Sequence, residues 1–192
     1  MAIVSLESPL TKTPQVHLQE MISKEEIADK VADYAKILDE QYAGKEIIIL
    51  AIMKGALCIT ADLIRAMDSD TQLKFIRCSS YGMNGTDRGE LQITGFEDVD
   101  VSGKHVLIVD DICDSGVTLS KVVSKLKEKM PANIQSLVLL HRKSEAPSKF
   151  NPDFSLFEIE KNDFVVGYGL DYKECYRGLE AIYSVTIPPE MM

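Results

Sequence analysis

Asp110, Asp111 and Asp114 put three carboxylates within five positions, and Ser115, Gly116 and Thr118 follow at once. Carboxylates crowded in this way repel one another unless a cation or a hydroxylated ligand faces them. A ribose diol with Mg²⁺ nearby suits Asp110 and Asp111, which leaves Asp114, on the loop itself, free for proton transfer. The loop beyond suits a phosphate, because the glycine lets the backbone approach closely and Ser115 and Thr118 add hydroxyl donors. The elements that position these groups are legible on either side. Val106-Leu107-Ile108-Val109 is a strand buried on both faces, as inside a parallel sheet. Leu119, Val122, Val123, Leu126 and Met130 fall at helical spacing. Strand, loop and helix in that order place the acids beyond the carboxyl end of a strand, where open α/β sheets bind ligands. The bland alternative is a solvated acidic turn capping the helix. A cap needs one such residue and does not explain two carboxylates directly after a buried strand.

A second strand, Glu46 to Met53, ends in Lys54-Gly55 and is followed by a helix with Ile59, Leu63, Ile64 and Met67 on its inner face. Lysine and glycine at a core strand's end suit either an anion loop or a plain turn with a solvated lysine. Upstream, residues 1–20 read as an arm or a loose first strand. Ser23 and Glu26 form a capping-box signature for a helix that buries Ile27, Val31, Tyr34 and Leu38 and ends near Gly44. His17 has no second histidine or cysteine close by and suits the surface. Leu73 to Cys78 is a third strand. Residues 82–89 are too polar and glycine-rich to pack, which fits a lid or a loose hairpin returning through Leu91 to Thr94. Ile134 to Leu140 is another buried strand, and it ends in His141-Arg142-Lys143, either a solvated edge or a set of donors for a substrate carbonyl. Phe154 to Ile159, Phe164 to Leu170 and Ile182 to Ile187 are shorter strands, and Pro188-Pro189 ends regular structure. Within the second of these, Phe164 suits either core packing or stacking on a flat heterocycle.

The chain has 192 residues and a net charge of −9. That length suits one domain with a substantial core, and no repeat or linker divides it. The charge argues against a broad nucleic-acid or anionic-membrane surface, though not against an anionic substrate. Cys58, Cys78, Cys113 and Cys175 show no C-x-x-C spacing, so neither a zinc site nor a redox pair is expected; Cys58 and Cys78 read as small core residues. No leader-like start and no apolar run of membrane-spanning length is present, and a reducing cytoplasm is the expected location.

Residues 110–118 closely resemble the phosphoribosyl-pyrophosphate motif of type I phosphoribosyltransferases: two acids, two apolar residues, Asp, Ser or Thr, Gly, any residue, Thr. The resemblance runs in matching order from about residue 15 to 187. It implies an α/β fold with a central, mostly parallel sheet flanked by helices. It also implies one domain over residues 1–192, with a core at about 20–145 and a small hood from the N-terminal arm and about 146–187. Phe164-Val165-Val166-Gly167-Tyr168-Gly169-Leu170-Asp171-Tyr172 is strongly similar to the hypoxanthine-guanine branch, in which the Phe stacks on a purine and the next residue offers its backbone to the base edge.

The resemblance therefore implies transfer of a phosphoribosyl group from 5-phosphoribosyl-1-pyrophosphate to hypoxanthine, and also to guanine, giving IMP or GMP and pyrophosphate. Asp114 would be the general base at purine N7, and Asp114, Ser115, Gly116, Val117 and Thr118 would hold the 5′-phosphate. Asp110 and Asp111 would take ribose and Mg²⁺, and Asp171 a second Mg²⁺. Lys54, Gly55 and Arg177 would contact pyrophosphate, with the Met53–Lys54 bond cis. Phe164, Val165 and either Arg142 or Lys143 would hold the base, and Ser80-Tyr81 would begin a mobile lid. A homo-oligomer, dimer or tetramer, without nucleic-acid or membrane partners, is expected. Two positions depart from the family. Arg142 stands where a lysine usually donates to the purine 6-oxo group, and Val117 replaces a longer polar residue found in some relatives. Specificity for another base such as xanthine, a nucleic-acid-binding regulator on the same fold, and a bare nucleotide-binding module are the rival functions. A regulator would show a basic face, and a bare module would not need both the pyrophosphate and base motifs.

Overall fold

The computed structural model describes residues 16–80, 91–97, 99–143 and 148–186. Its elements are β1 (His17–Ile22), α1 (Lys24–Tyr42), β2 (Ile47–Met53), α2 (Leu57–Ala66), β3 (Thr71–Ser80), β4 (Leu91–Thr94), β5 (His105–Cys113), α3 (Val117–Lys127), β6 (Asn133–Arg142), β7 (Phe154–Ile159), β8 (Val165–Val166) and β9 (Ile182–Thr186). Six strands form one sheet in the order β4-β3-β2-β5-β6-β7. Every pairing in it is parallel except that of β4 with β3. The expected mostly parallel α/β sheet is the one present.

The two-sided burial read from the apolar runs is explained by the layers. Ile47, Ile49, Leu107 and Val109 pack with Ile27, Val31, Leu38, Ile59 and Leu63 of α1 and α2. Their alternate neighbours Ile48, Leu50, Val106 and Ile108 pack with Leu119, Val122 and Leu126 of α3. Alternate side chains of a strand leave opposite faces, so a strand between two helical layers has no polar side. The capping box at α1 forms as the sequence implies. The Glu26 N–H donates to Ser23 Oγ at 3.2 Å, and the Ser23 N–H donates to Glu26 Oε2 at 2.9 Å.

Several boundaries differ. β3 and β6 outrun their apolar cores, because ladder pairing continues through polar residues to Ser80↔Leu91 and Arg142↔Ile159. β5 likewise runs through Asp110 and Asp111, so both acids lie within the strand. Met130 does not belong to the buried stripe of α3. It is 74% exposed with φ +52, beyond a turn in which its N–H donates to Lys127 O. Phe164 to Leu170 is not a continuous strand. Only Val165–Val166 is extended, and Gly167 (φ +100), Tyr168 (φ +49) and Gly169 (φ +102) fold the chain back so that Gly167 and Leu170 bond each other. Cys58 and Cys78 are half-buried rather than core.

A second sheet has the order β1-β9-β8 and is antiparallel throughout, with His17↔Thr186 and Val166↔Tyr183 in register. His17 is exposed, as expected. Ser80 ends β3; Tyr81, residues 82–89, Pro188 and Pro189 lie outside the described residues. Among the described residues, no helix is long and apolar enough to cross a membrane.

Candidate active site

β2 and β5 are neighbours, so the turn after one and the loop after the other emerge side by side at the carboxyl edge of the sheet. Between them lies a cavity of about 810 Å³. Lys54-Gly55, Asp110 through Leu119, Asp171 and Arg177 line it. Three segments far apart in the chain, each carrying sequence-derived candidates, thus meet at one place.

Asp110 is 5% exposed and ends the buried run of β5. Burial, followed by the charge of Asp111, holds its carboxyl well above the usual range. Burial also raises Asp111, although hydrogen bonding to Asp110 and to its backbone neighbours and the charge of Arg177 act against the shift. The loop from β2 presses directly on this pair. A Cβ added at Gly55 would lie 1.6 Å from Asp111 Oδ2, so the close approach needs glycine. The Met53–Lys54 peptide bond is cis.

After Cys113 the chain turns through Asp114 and Ser115 to Gly116, which caps α3 with φ +70. A Cβ there would lie 2.3 Å from Phe150 O. Among the described residues no side chain caps α3, so the first-turn N–H groups around Val117 and Thr118 face the cavity without one, as an anion site requires. Lys121 and Lys149 line the same cavity. Sequence inspection missed both. Lys121 sits one turn into α3, a position that spacing from Gly116 could have flagged. Lys149 is brought in by its N–H, which donates to Ser115 O at 3.1 Å, and no local pattern announces that contact.

The basic trio at the carboxyl end of β6 divides. Arg142 donates through Nε to Asp114 Oδ1, and through Nη1 to the carbonyls of Glu160 (2.9 Å), Lys161 (3.2 Å) and Asp163 (2.7 Å). Its neighbour Lys143 turns to Glu160 at 3.0 Å and Glu158 at 3.8 Å. Phe164 stands 41% exposed, with its ring edge-on to Tyr172 at 5.5 Å between centroids. Val165 is buried and pairs with Ser184.

Asp171 and Arg177 face each other across the far side of the cavity at 2.7 Å. Arg177 also donates to Gly169 O at 2.8 Å, while its Nε is buried without a partner among the described residues. A Cβ at Gly169 would meet Gly55 O at 2.2 Å, so the 167–170 turn packs against the Lys54-Gly55 turn. Tyr168 anchors the turn by donating to Asp62 Oδ2 of α2 at 2.6 Å. Glu174, which sequence inspection also missed, reaches both Lys54 and Arg177.

The family model described as a phosphoribosyl transferase domain matches residues 19–173, a span that contains the acidic loop, the lysine turn and the 164–171 segment. The chain belongs to the phosphoribosyltransferase family. The hypoxanthine-guanine phosphoribosyltransferase of Aquifex aeolicus (strain VF5) is 37% identical to this phosphoribosyltransferase over 88% of this chain and 94% of its own. That of Bacillus subtilis (strain 168) is 38% identical, over 84% and 89%. A crystal structure of a hypoxanthine-guanine phosphoribosyltransferase from Bacillus anthracis shares the fold with a TM-score of 0.81 at 31% identity, covering 89% of this chain and 99% of that one.

Proposed function

We propose that this phosphoribosyltransferase joins hypoxanthine, and also guanine, to 5-phosphoribosyl-1-pyrophosphate, giving IMP or GMP and pyrophosphate. The observation that carries this reading is the convergence on one cavity of an uncapped helix start, a paired carboxylate strand end and a lysine-glycine turn, with Asp114 beside a guanidinium. The names of the similar proteins support the same purine bases.

In this account the 5′-phosphate lies against the N–H groups and hydroxyls of residues 114–118. Asp110 and Asp111 face the ribose, and Lys54, the Gly55 backbone and Arg177 hold pyrophosphate. The buried Nε of Arg177, unpartnered among the described residues, is a donor in want of an anion. Phe164 stacks on the purine, Val165 offers its backbone to the base edge, and Arg142 donates to the 6-oxo oxygen. Arg142 rather than Lys143 takes that role because it already touches Asp114, whereas Lys143 is paired with two glutamates. Asp114 takes the N7 proton, which leaves N9 the better nucleophile. Base and leaving group are held on opposite faces of the sugar, so positioning supplies much of the acceleration.

The acids fit a divalent cation. Two adjacent carboxyls whose pKa values are raised by burial are stabilised by positive charge, and Asp171 is a third on the facing side. Among the described residues no three such groups converge on one point, so an ion held by Asp110, Asp111 or Asp171 would need substrate oxygens as well, as Mg²⁺ commonly does. When bound, Mg²⁺ would neutralise charge on the departing pyrophosphate. We further propose that the core and the small sheet act as one catalytic domain, that Ser80-Tyr81 opens a lid, and that the enzyme is a cytoplasmic homo-oligomer.

An assay of phosphoribosyl transfer with hypoxanthine, guanine, xanthine and adenine tests the reading. Hypoxanthine should be used, adenine rejected, and a chelator should abolish turnover until Mg²⁺ is restored. Preference for adenine would sink the base assignment, and no transfer to any base would sink the enzyme.

A further inference from the structure

One carboxylate oxygen bridges the two cations assigned above to pyrophosphate. Glu174 Oε2 lies 2.9 Å from Lys54 Nζ and 3.3 Å from Arg177 Nη2. The two cations come from loops 120 or so residues apart, and the oxygen between them stands where an oxygen of a bound anion would. The backbone is committed to this arrangement. Lys173 and Glu174 both have positive φ (+52 and +64), and the Glu174 N–H donates to Asp171 Oδ2 at 2.9 Å. Arg177 is in turn held by Asp171 at 2.7 Å. Two cations therefore face two carboxylates, and the rim is locally neutral. Glu174 is nevertheless solvent-facing, its side chain 65% exposed, so it can swing away without opening the core.

We propose that Glu174 is an internal anion that occupies the pyrophosphate subsite of the free enzyme, yields it to the substrate, and reclaims it as pyrophosphate departs. The proposal rests on the pyrophosphate role given above to Lys54 and Arg177. An incoming anion has to break both Glu174 contacts before it gains its own. A site neutralised in this way attracts small anions weakly, and a returning carboxylate favours release of the product. The contacts are exposed ion pairs, each of modest strength, so removing the charge should tighten anion binding about three- to tenfold.

Calorimetric titration with inorganic pyrophosphate, with magnesium chloride in the buffer, tests this on the full chain and on Glu174→Gln. Glu174→Gly is the second variant, because glycine adopts the positive φ at this position freely and cannot fail through backbone strain. Both variants should bind pyrophosphate about three- to tenfold more tightly, with a matching fall in the KM for 5-phosphoribosyl-1-pyrophosphate and no change in the KM for hypoxanthine. Unchanged affinity would make the contacts incidental. Weaker binding would make Glu174 a support that holds Lys54 and Arg177 in place, and either result overturns the proposal. If the unaltered chain does not bind pyrophosphate at all, the assignment of Lys54 and Arg177 fails first, so the two failures are separable.

Discussion

Among the described residues the partner that decides how Asp114 works is the Arg142 guanidinium. A permanently charged donor keeps the carboxylate oriented, and a purine entering between them would take part of that hydrogen bonding. Asp114→Asn keeps shape but is a poor proton acceptor. It should lower turnover on the order of 10²-fold or more while leaving 5-phosphoribosyl-1-pyrophosphate affinity nearly intact, as steady-state kinetics with separate kcat and KM will show. Replacing Arg142 by Met should cut kcat/KM for hypoxanthine roughly 10- to 100-fold, the cost of losing a hydrogen bond to a charged donor. Lys143→Met should change it far less, and the reverse order would reassign the base contact. Asp110, Asp111, Asp114 and the glycine-hydroxyl run were legible in the sequence because they are contiguous and follow a buried strand. The Arg142 contact was not, since it spans 28 residues and depends on β5 and β6 lying side by side. Glu174 was invisible for the same reason, as its meaning comes from Lys54 on a different loop.

At the scale of elements, apolar periodicity identified α1, β2, α2, β5, α3 and β6, because each buries a face or both faces. It failed where pairing or turns took over from burial. β3 and β6 continue as strands through polar residues, and the 164–170 segment folds back on positive φ values that hydrophobicity does not encode. One tie between elements lies outside any such pattern. Asp39 on α1 accepts from the N–H groups of Asp68 and Ser69 at 2.9 Å each, fastening the α2–β3 connection to α1. Partial burial raises its carboxyl pKa, but these bonds and that of the Ser69 side chain outweigh it, so the net shift is below the ordinary 3.8. A lowered folded-state pKa means that the stabilisation is fully present above about 3.8 and is lost as pH falls through the folded value. Asp39→Ala should therefore cost about 1 kcal/mol in urea unfolding at neutral pH. The difference from the unaltered chain should shrink in acid below the ordinary carboxylate range. A difference that stays constant across that range would show that the carboxylate charge is not what holds the connection.

For the molecule as a whole, the site belongs to neither sheet alone. The six-stranded sheet supplies the Lys54 turn and the 110–118 loop, and the turns following β8 supply Asp171 and Arg177, with Gly169 packed against Gly55. The small sheet has a separate consequence. β1 and β9 run antiparallel, with His17 opposite Thr186, so the two ends of the described fold are next to each other in space. Chain continuity between β9 and β1 could then be exchanged for a break elsewhere without altering any pairing. Gly103, in the turn before β5 with φ +67 and no described atom within 4 Å of where a Cβ would lie, is at the amino edge of the sheet, away from the cavity. A circular permutant that joins Thr186 to His17 through a short flexible linker and begins at Gly103 should fold and transfer phosphoribosyl groups. Circular dichroism and the hypoxanthine assay check it. Folding without activity would show that catalysis depends on segments outside residues 17–186, and failure to fold would show that the order of synthesis, rather than the final contacts, selects this topology.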